Sequence, residues 1–397
     1  MNWLEALVQT HGNGNAISTT NLLRQGLPNR RNEEWRFTDI GPLTSLDPSK
    51  LKSSGPLNQL SRPKFNARTL RLILGEQGDS FVVAPGSAEL PAGLVLNGIP
   101  PVEIVENKAW VFQLQDCLRG PSLSLDLAES ESLQLELILD PAESAALVST
   151  SLQITLAKAA SLQLFIYIQS SLESLNLLTM QVKLGADAQF FEAQNLLGAH
   201  RSVLLTGSEV HQAPTSCYKR SAVVQGWAMA RQEPKVVQVE GAAKTFLNDL
   251  AIIEHQNLSD LHSVVRFEGP NGCLEQLQKA LVDGAGRSVF NGAVQVPMVA
   301  QGTNAAQLSR HLLLSDRARV DTKPELAIIA DDVRCSHGAT ISSLAADELF
   351  YLQSRGILRE QAVALLKRGF CQEIIDSMPS LANQWCSTDA LLKDQNS

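Results

Sequence analysis

From Leu133 to Ile329 the chain passes through about two hundred residues of short, apolar-alternating segments, with no convincing amphipathic helix among them. Ser132-Leu-Gln-Leu-Glu-Leu, Ser151-Leu-Gln-Ile-Thr-Leu and Ser161-Leu-Gln-Leu-Phe-Ile-Tyr-Ile resemble one another. Each has the period of two that places alternate side chains on opposite faces of a strand. Similar runs follow at 177–184, 189–192, 202–205, 236–239, 245–253 and 263–268. Small-residue turns recur between them, as in Lys158-Ala-Ala-Ser, Gly185-Ala-Asp-Ala, Gly284-Ala-Gly-Arg and Asp316-Arg-Ala-Arg. A sandwich would stop near ~100 residues. A propeller would show a stricter blade period with aromatic signatures, and aromatics are only 5% here. The pattern predicts a mainly β chain built as a β-solenoid, with short strands coiling into stacked sheets around a narrow apolar interior. Such a stack leaves open strand edges at its ends, which have to be capped or paired.

The flanks supply helices for that purpose. Trp3, Leu4, Leu7 and Val8 have helical spacing that Gly12 and Gly14 stop. Ser18 to Asn21 offers capping residues for a second helix, closed by Gly26 and Pro28. A charged run follows, with Arg30, Arg31 and Arg36 interleaved with Glu33, Glu34 and Asp39 around Trp35 and Phe37. Its plain reading is a charged turn that packs one aromatic onto the domain. Residues 45–68 read as loop, and short strands are expected at 71–74, 81–83 and 94–96. At the other end, a short helix from Asp347 closes at Gly356. A second, from Arg359 to Ile375, carries Ala362, Leu365, Leu366, Phe370 and Ile374 along one stripe. The expected organisation is a helical and mixed N-terminal domain at 1–100, a β-helix core at 101–343 and a helical C-terminal domain at 344–397.

Charge and cysteine usage exclude several functions. A net charge of −8 leaves no basic tract to displace phosphate counterions, which argues against a nucleic-acid binder. No run of about 18 apolar residues suggests a membrane span. The opening Met-Asn-Trp-Leu-Glu lacks the basic start of a secretory signal. Six cysteines lie far apart with no Cys-x-x-Cys pair, as expected in a reducing compartment. A cytoplasmic location is therefore expected, or the plastid stroma if the chain is organellar. The sequence Gly-x-x-x-x-Gly-Lys-Ser/Thr is absent, so the chain is not expected to hydrolyse ATP.

One stretch carries chemistry. Pro324 to Phe350 begins extended and turns polar at Asp331 and Asp332. It holds the only Cys-x-His spacing in the chain, Cys335 and His337, and changes to a helix after an expected stop at Gly338. On a strand, Val333, Cys335 and His337 share a face, with Cα atoms two apart separated by roughly 6.6–7 Å. A thiolate and an imidazole at that spacing can both face one soft metal or cluster. The plainer reading makes Cys335 a small buried hydrophobe and His337 a satisfied polar group. Asp331 and Asp332, adjacent on a strand, face opposite ways and make poor acid–base geometry. Cys117, Cys217, Cys273, Cys371 and Cys386 read as packing residues. His200, His211, His255 and His262 read as hydrogen-bonded rather than metal-bound.

Asp331-Asp-Val-Arg-Cys-Ser-His-Gly-Ala-Thr, with Asp347-Glu-Leu-Phe-Tyr-Leu-Gln-Ser-Arg-Gly, closely resembles the C-terminal signature of the SufB/SufD family, scaffold subunits of the SUF iron–sulfur cluster assembly machine. Phe290-Asn-Gly, Gln301-Gly-Thr-Asn-Ala-Ala-Gln, Leu312 to Leu326 and Arg31-Asn-Glu-Glu-Trp-Arg-Phe-Thr-Asp are similar to the same family. Gln307-Leu-Ser-Arg-His lacks the cysteine of the SufB branch, and the Cys-x-His form of the signature resembles the SufD branch. The resemblance implies a right-handed parallel β-helix flanked by helical domains, and a non-catalytic scaffold role. It also implies a heteromeric complex with SufB through the β-helix and with the SufC ATPase through the C-terminal helices. Self-association of the isolated chain is a further expectation. A transient iron–sulfur cluster would be shared with SufB through His337, with Cys335 the second candidate and reduced flavin a candidate reductant of the complex. Phe350, Tyr351, Arg355, Ala362, Leu365, Leu366, Phe370 and Ile374 are the candidate partner-binding residues. Two rivals stand beside this reading. A polysaccharide-active β-helix enzyme would need acids and bases gathered on one outer face, where these strands carry mostly Ser, Gln, Thr and Ala. A Cys/His metalloenzyme would need third and fourth ligands, which tight spacing does not supply.

Overall fold

The computed structural model describes residues 2–13, 16–53, 55–56, 63–64, 67–98, 108–118, 120–141, 145–170, 172–199 and 201–392. The alternating segments become a parallel β-solenoid of about seven turns, with helices at both termini. One sheet begins with β1 (Thr69–Leu74), edged by the short antiparallel β2 (Phe81–Val83). The other begins with β3 (Leu94–Leu96), antiparallel to β4 (Ser122–Leu127). From there the chain alternates between sheets. The first sheet takes β5 (Ser132–Leu139), β7 (Ser161–Gln169), β9 (Gln189–Leu197), β11 (Cys217–Gln225), β13 (Lys244–Ile253), β15 (Cys273–Val282), β17 (Asn304–Leu313) and β19 (Arg334–Ser343). The second takes β6 (Ala145–Leu156), β8 (Glu173–Leu184), β10 (Arg201–Gln212), β12 (Met229–Gln238), β14 (Leu258–Phe267), β16 (Arg287–Val296) and β18 (Arg319–Ile328).

At one corner of each coil the backbone takes positive φ, in order at Ser130, Ala159, Asp187, Thr215, Ala242 (with Gly241 before it), Asn271 and Gly302. All but the glycines are side-chain-bearing residues held in the left-handed region, a conformation costing about 1–2 kcal/mol each. Stacking offsets that cost. The Ala159 N–H donates to the Ala186 carbonyl, Asp187 to Pro214, Ala242 to Pro270 and Asn271 to Gln301. These bonds tie neighbouring corners coil to coil, and the small-residue turns Lys158-Ala-Ala-Ser and Gly185-Ala-Asp-Ala lie among them.

Inward side chains of the two sheets meet in one apolar core, including Leu72, Leu125, Leu137, Leu164, Leu178, Val210, Phe267 and Val294. Both outer faces are covered as well. Helices α1 (Trp3–His11) and α2 (Ala16–Gln25), a short α3 (Gly41–Thr44) and α4 (Trp110–Cys117) bury Leu4, Leu7, Leu22, Leu43 and Trp110 against Leu175, Val203, Leu205 and Met229 of the second sheet. Helix α2 starts at Ala16, ahead of the expected capping residues at 18–21. Helix α4 has no counterpart in the sequence reading. At the far end come α5 (Ala346–Ser354), α6 (Arg359–Asp376) and α7 (Thr388–Leu391). Ile374, Ile375, Met378, Leu381 and Leu391 of this region pack on Phe165, Val223, Leu250 and Leu281 of the first sheet. Among the described residues no helix is long and apolar enough to cross a membrane.

Candidate functional site

The two ends of the solenoid differ. At the N-terminal end β2 and β3 lie antiparallel against the first coil and occupy its edges. At the other end β18 and β19 are the last strands of their sheets, each paired on one side only. Both are ten residues long, so two rows of backbone donors and acceptors are available to another chain.

Cys335 and His337 lie on that last rung. Strand β19 begins at Arg334 and runs through Gly338 to Ser343, so the expected stop at Gly338 is corrected. Gly338 pairs with Leu308, and a Cβ there would come within 3.1 Å of the Leu308 Cδ1. The glycine allows a close approach within the ladder rather than ending it. In register, Cys335 stands beside Ala305 and His337 beside Gln307, both buried inward positions. Cys335 and His337 therefore occupy the interior face of the coil, as the period of two requires. Because no further coil covers this rung, the two differ in exposure. Cys335 is half-buried and packs against the apolar core with Val333 and Leu326. Burial pushes its thiol up, and a backbone hydrogen bond at Ala305 offsets this only in part. His337 is exposed. No group of three or more His, Cys, Asp or Glu able to hold a metal ion occurs among the described residues. One imidazole and one thiol leave a four-coordinate metal half complete.

The C-terminal candidates divide by burial. Phe350 (73% exposed) and Tyr351 (58%) lie on α5, which buries none of its residues. Arg355 is exposed, with its guanidinium 5.4 Å from the Tyr351 ring centre. Along α6, Ala362 and Ile374 are fully buried, Leu366 and Phe370 half-buried, and Leu365 is 49% exposed. The Phe370 carbonyl accepts a 2.9 Å hydrogen bond from the buried Lys279 Nζ, which also faces its ring and pairs with Glu373. The α6 stripe is therefore split. Ile374 and Phe370 dock the helix on the solenoid, while Leu365, Phe350 and Tyr351 face outward.

The charged run near the N-terminus does more than pack one aromatic. Trp35 is buried beneath Arg231 of β12, whose guanidinium carbon lies 3.8 Å from the indole centre. The same guanidinium donates to the Glu34 carbonyl and to Thr38 Oγ1, each at 3.0 Å, and pairs with Asp260 and Glu233. Burial raises the Asp260 carboxyl, but Arg231 and then His262 outweigh it and hold the group below its usual range. That Arg231 and Asp260 complete this clamp is not legible from the chain alone, because both lie about two hundred residues from Trp35. Of the other histidines, His211 bonds Glu209, His262 faces Asp260, His255 is exposed in a corner, and His200 is outside the described residues. Cys117, Cys371 and Cys386 are buried, and Cys217 and Cys273 half-buried.

Residues 131–370 match the family model described as SUF system FeS cluster assembly, SufBD core domain. That is more than half of the chain. The chain belongs to the SufBD family. Similar relatives include an iron–sulfur cluster assembly SufBD family protein of Synechocystis, 42% identical over 51% of this chain and 45% of the relative. The chloroplastic protein ABCI7 of Arabidopsis thaliana is 39% identical over 48% of this chain and 40% of its own length. The iron–sulfur cluster assembly protein SufD of Escherichia coli is 35% identical over 36% of this chain and 34% of its own. The matched stretch spans less than half of each relative's length. The SufBD core match takes in most of the solenoid, the Cys335–His337 rung and α5, while the clamp residues Glu34 to Thr38 lie before it.

Proposed function

We propose that this chain is a non-catalytic scaffold of the SUF system whose open end joins a SufB-type subunit, so that His337 and a cysteine of that subunit hold a nascent iron–sulfur cluster as cargo. The observation that carries this reading is that an interior ladder ends on an exposed imidazole at an uncapped edge, with a half-buried thiol beside it. Resident clusters are commonly held by four thiolates, with Rieske-type centres replacing two of them by imidazoles. A pair of donors, one of them a neutral imidazole, is weaker and suits a cluster that must leave. Cys335 is the secondary ligand; in the isolated chain its raised thiol favours packing over coordination. The exposed backbone rows of β18 and β19 give the partner a way to continue both sheets.

The driving ATPase, of SufC type, binds the outward side of the C-terminal helices, where Phe350, Tyr351, Arg355 and Leu365 are accessible. Ala362 and Ile374 are buried and serve the fold instead.

Co-expression with SufB- and SufC-type subunits tests the reading, comparing wild type with His337→Ala. Both chains should give a stable heteromeric complex, and the substituted complex should build less cluster. An intact complex with undiminished cluster would remove His337 from the site, and failure to bind either subunit would sink the scaffold role.

A further inference from the structure

The interior of the solenoid changes character halfway along. One inward column of the first sheet reads Leu164, Glu192, Arg220, Leu247, Gln276 and Gln307 in register, and ends at His337. Its neighbour reads Ile166, Gln194, Ala222, Asp249, Gln278 and Ser309. Coils before Glu192 are aliphatic here; coils after it are mostly polar. Every polar member before His337 is at most 4% exposed.

Part of this polarity is satisfied within the protein. Tyr218 donates to Glu192 at 2.6 Å, and Gln194 donates to the other oxygen of the same carboxyl. Arg220 donates to Asp249. Nearer the open end, Gln307 donates to Gln276 at 2.9 Å and Gln276 to Ser263 at 2.7 Å, while Ser309 and Thr322 bond across the bore. Other atoms have no protein partner: Asp249 Oδ2, Gln194 Oε1, Gln278 Oε1, Gln307 Oε1 and Gln232 Nε2. Each would cost about 1–3 kcal/mol if left unsatisfied. Neighbours on a ladder are about 4.8 Å apart, a spacing that one water can bridge. The cluster also has two carboxyls against one guanidinium, and burial raises both carboxyls. Two buried carboxylates against one guanidinium would leave one negative charge unbalanced, which favours one of them as the carboxylic acid.

We propose that the C-terminal half of the bore holds a file of buried water, running from the Glu192–Arg220–Asp249 cluster to Gln307, one coil inside the open rung of β19, and that the cluster exchanges its proton with solvent along this file. The file is blind at Leu164 and Ile166, so exchange occurs only at the open end. The step makes and breaks O–H bonds alone. The carboxyl gives its proton to the adjacent water, each water passes one on, and a hydronium leaves at the mouth; the reverse sequence restores the acid. This site needs neither metal nor partner, so it stands or falls separately from the scaffold reading.

Infrared spectroscopy on the purified full chain, transferred rapidly from H2O to D2O, tests it. A carboxylic-acid C=O band should be present near neutral pH and should shift on deuteration far faster than the slowest core amides exchange. Asp249→Asn or Glu192→Gln should abolish or displace the band. Gln307→Leu, and separately Gln278→Leu, should slow the shift by at least about tenfold while the slowest amides keep their protection. Using two variants in adjacent columns keeps the test valid if one of them folds poorly. Magnetic relaxation dispersion on the wild type should count several long-lived internal waters. Absence of the acid band, exchange no faster than the slowest amides, unchanged rates in both well-folded variants, or no long-lived water would each overturn the proposal.

Discussion

Replacing Arg231 with Met should undock the N-terminal segment from the solenoid. The guanidinium is 1% exposed and the Asp260 carboxyl it faces is 0% exposed, so the substitution leaves a buried carboxylate with only His262 and Thr38 nearby. Breaking one side of a buried pair costs about 3–5 kcal/mol, and the Trp35 stacking and the Glu34 carbonyl bond are lost with it. The loss is local, so hydrogen exchange reports it better than global unfolding of a chain with several packed units. The Thr38 amide, bonded to the Trp35 carbonyl, should lose about a hundredfold or more of its protection, while amides of β7 keep theirs. Adding Asp260→Asn removes the stranded charge and should restore much of the protection, since the pair's removal as a whole is far cheaper than its rupture. Protection within about fivefold of wild type in the single variant would refute the clamp. So would a double variant no better than the single one.

Three further outcomes follow from burial and charge. His311 is buried with neither ring nitrogen hydrogen-bonded, and burial lowers its pKa from 6.5 to about 4. The unfolded chain therefore takes up a proton first as pH falls. Stability present above pH 6.5 should decline toward pH 4 by about 3 kcal/mol, and His311→Leu should flatten that part of the thermal-midpoint profile; an unchanged slope would remove His311 as its cause. Phe350→Asp should weaken capture of the ATPase subunit by about tenfold or more with the melting temperature unchanged, whereas Ala362→Asp should lower the melting temperature of the chain alone. Leu164→Ala, in the aliphatic half of the bore, should cost about 2–5 kcal/mol by calorimetry or denaturant titration; a loss under about 1 kcal/mol would mean that half is loosely packed.

The solenoid was legible because its period is local. Alternation in Ser161 to Ile168 and the corner residues from Ala159 to Asn271 report the strand and the turn within a few residues of each other. The Cys335–His337 face followed from the same period. Helix α4 was not legible, since Trp110 to Cys117 is a short apolar run whose helical state is decided by packing against α2 and the second sheet. The stop expected at Gly338 failed because a glycine can also serve a close approach, here to Leu308, and the neighbour lies one coil away. The split of the α6 stripe was hidden for a related reason: helical period shows which residues align but not which of them meet the solenoid. Glu192, Gln194 and Asp249 interrupt aliphatic strands visibly, yet only the register shows that they share two adjacent columns.

Iron K-edge absorption spectroscopy on the assembled complex tests most directly whether the open end is half of a shared site. With wild-type chain and bound iron, a nitrogen scatterer should appear beside sulfur and should disappear in His337→Ala while the complex stays intact. An identical iron environment in the two intact complexes, or the same iron bound by this chain alone, would contradict it.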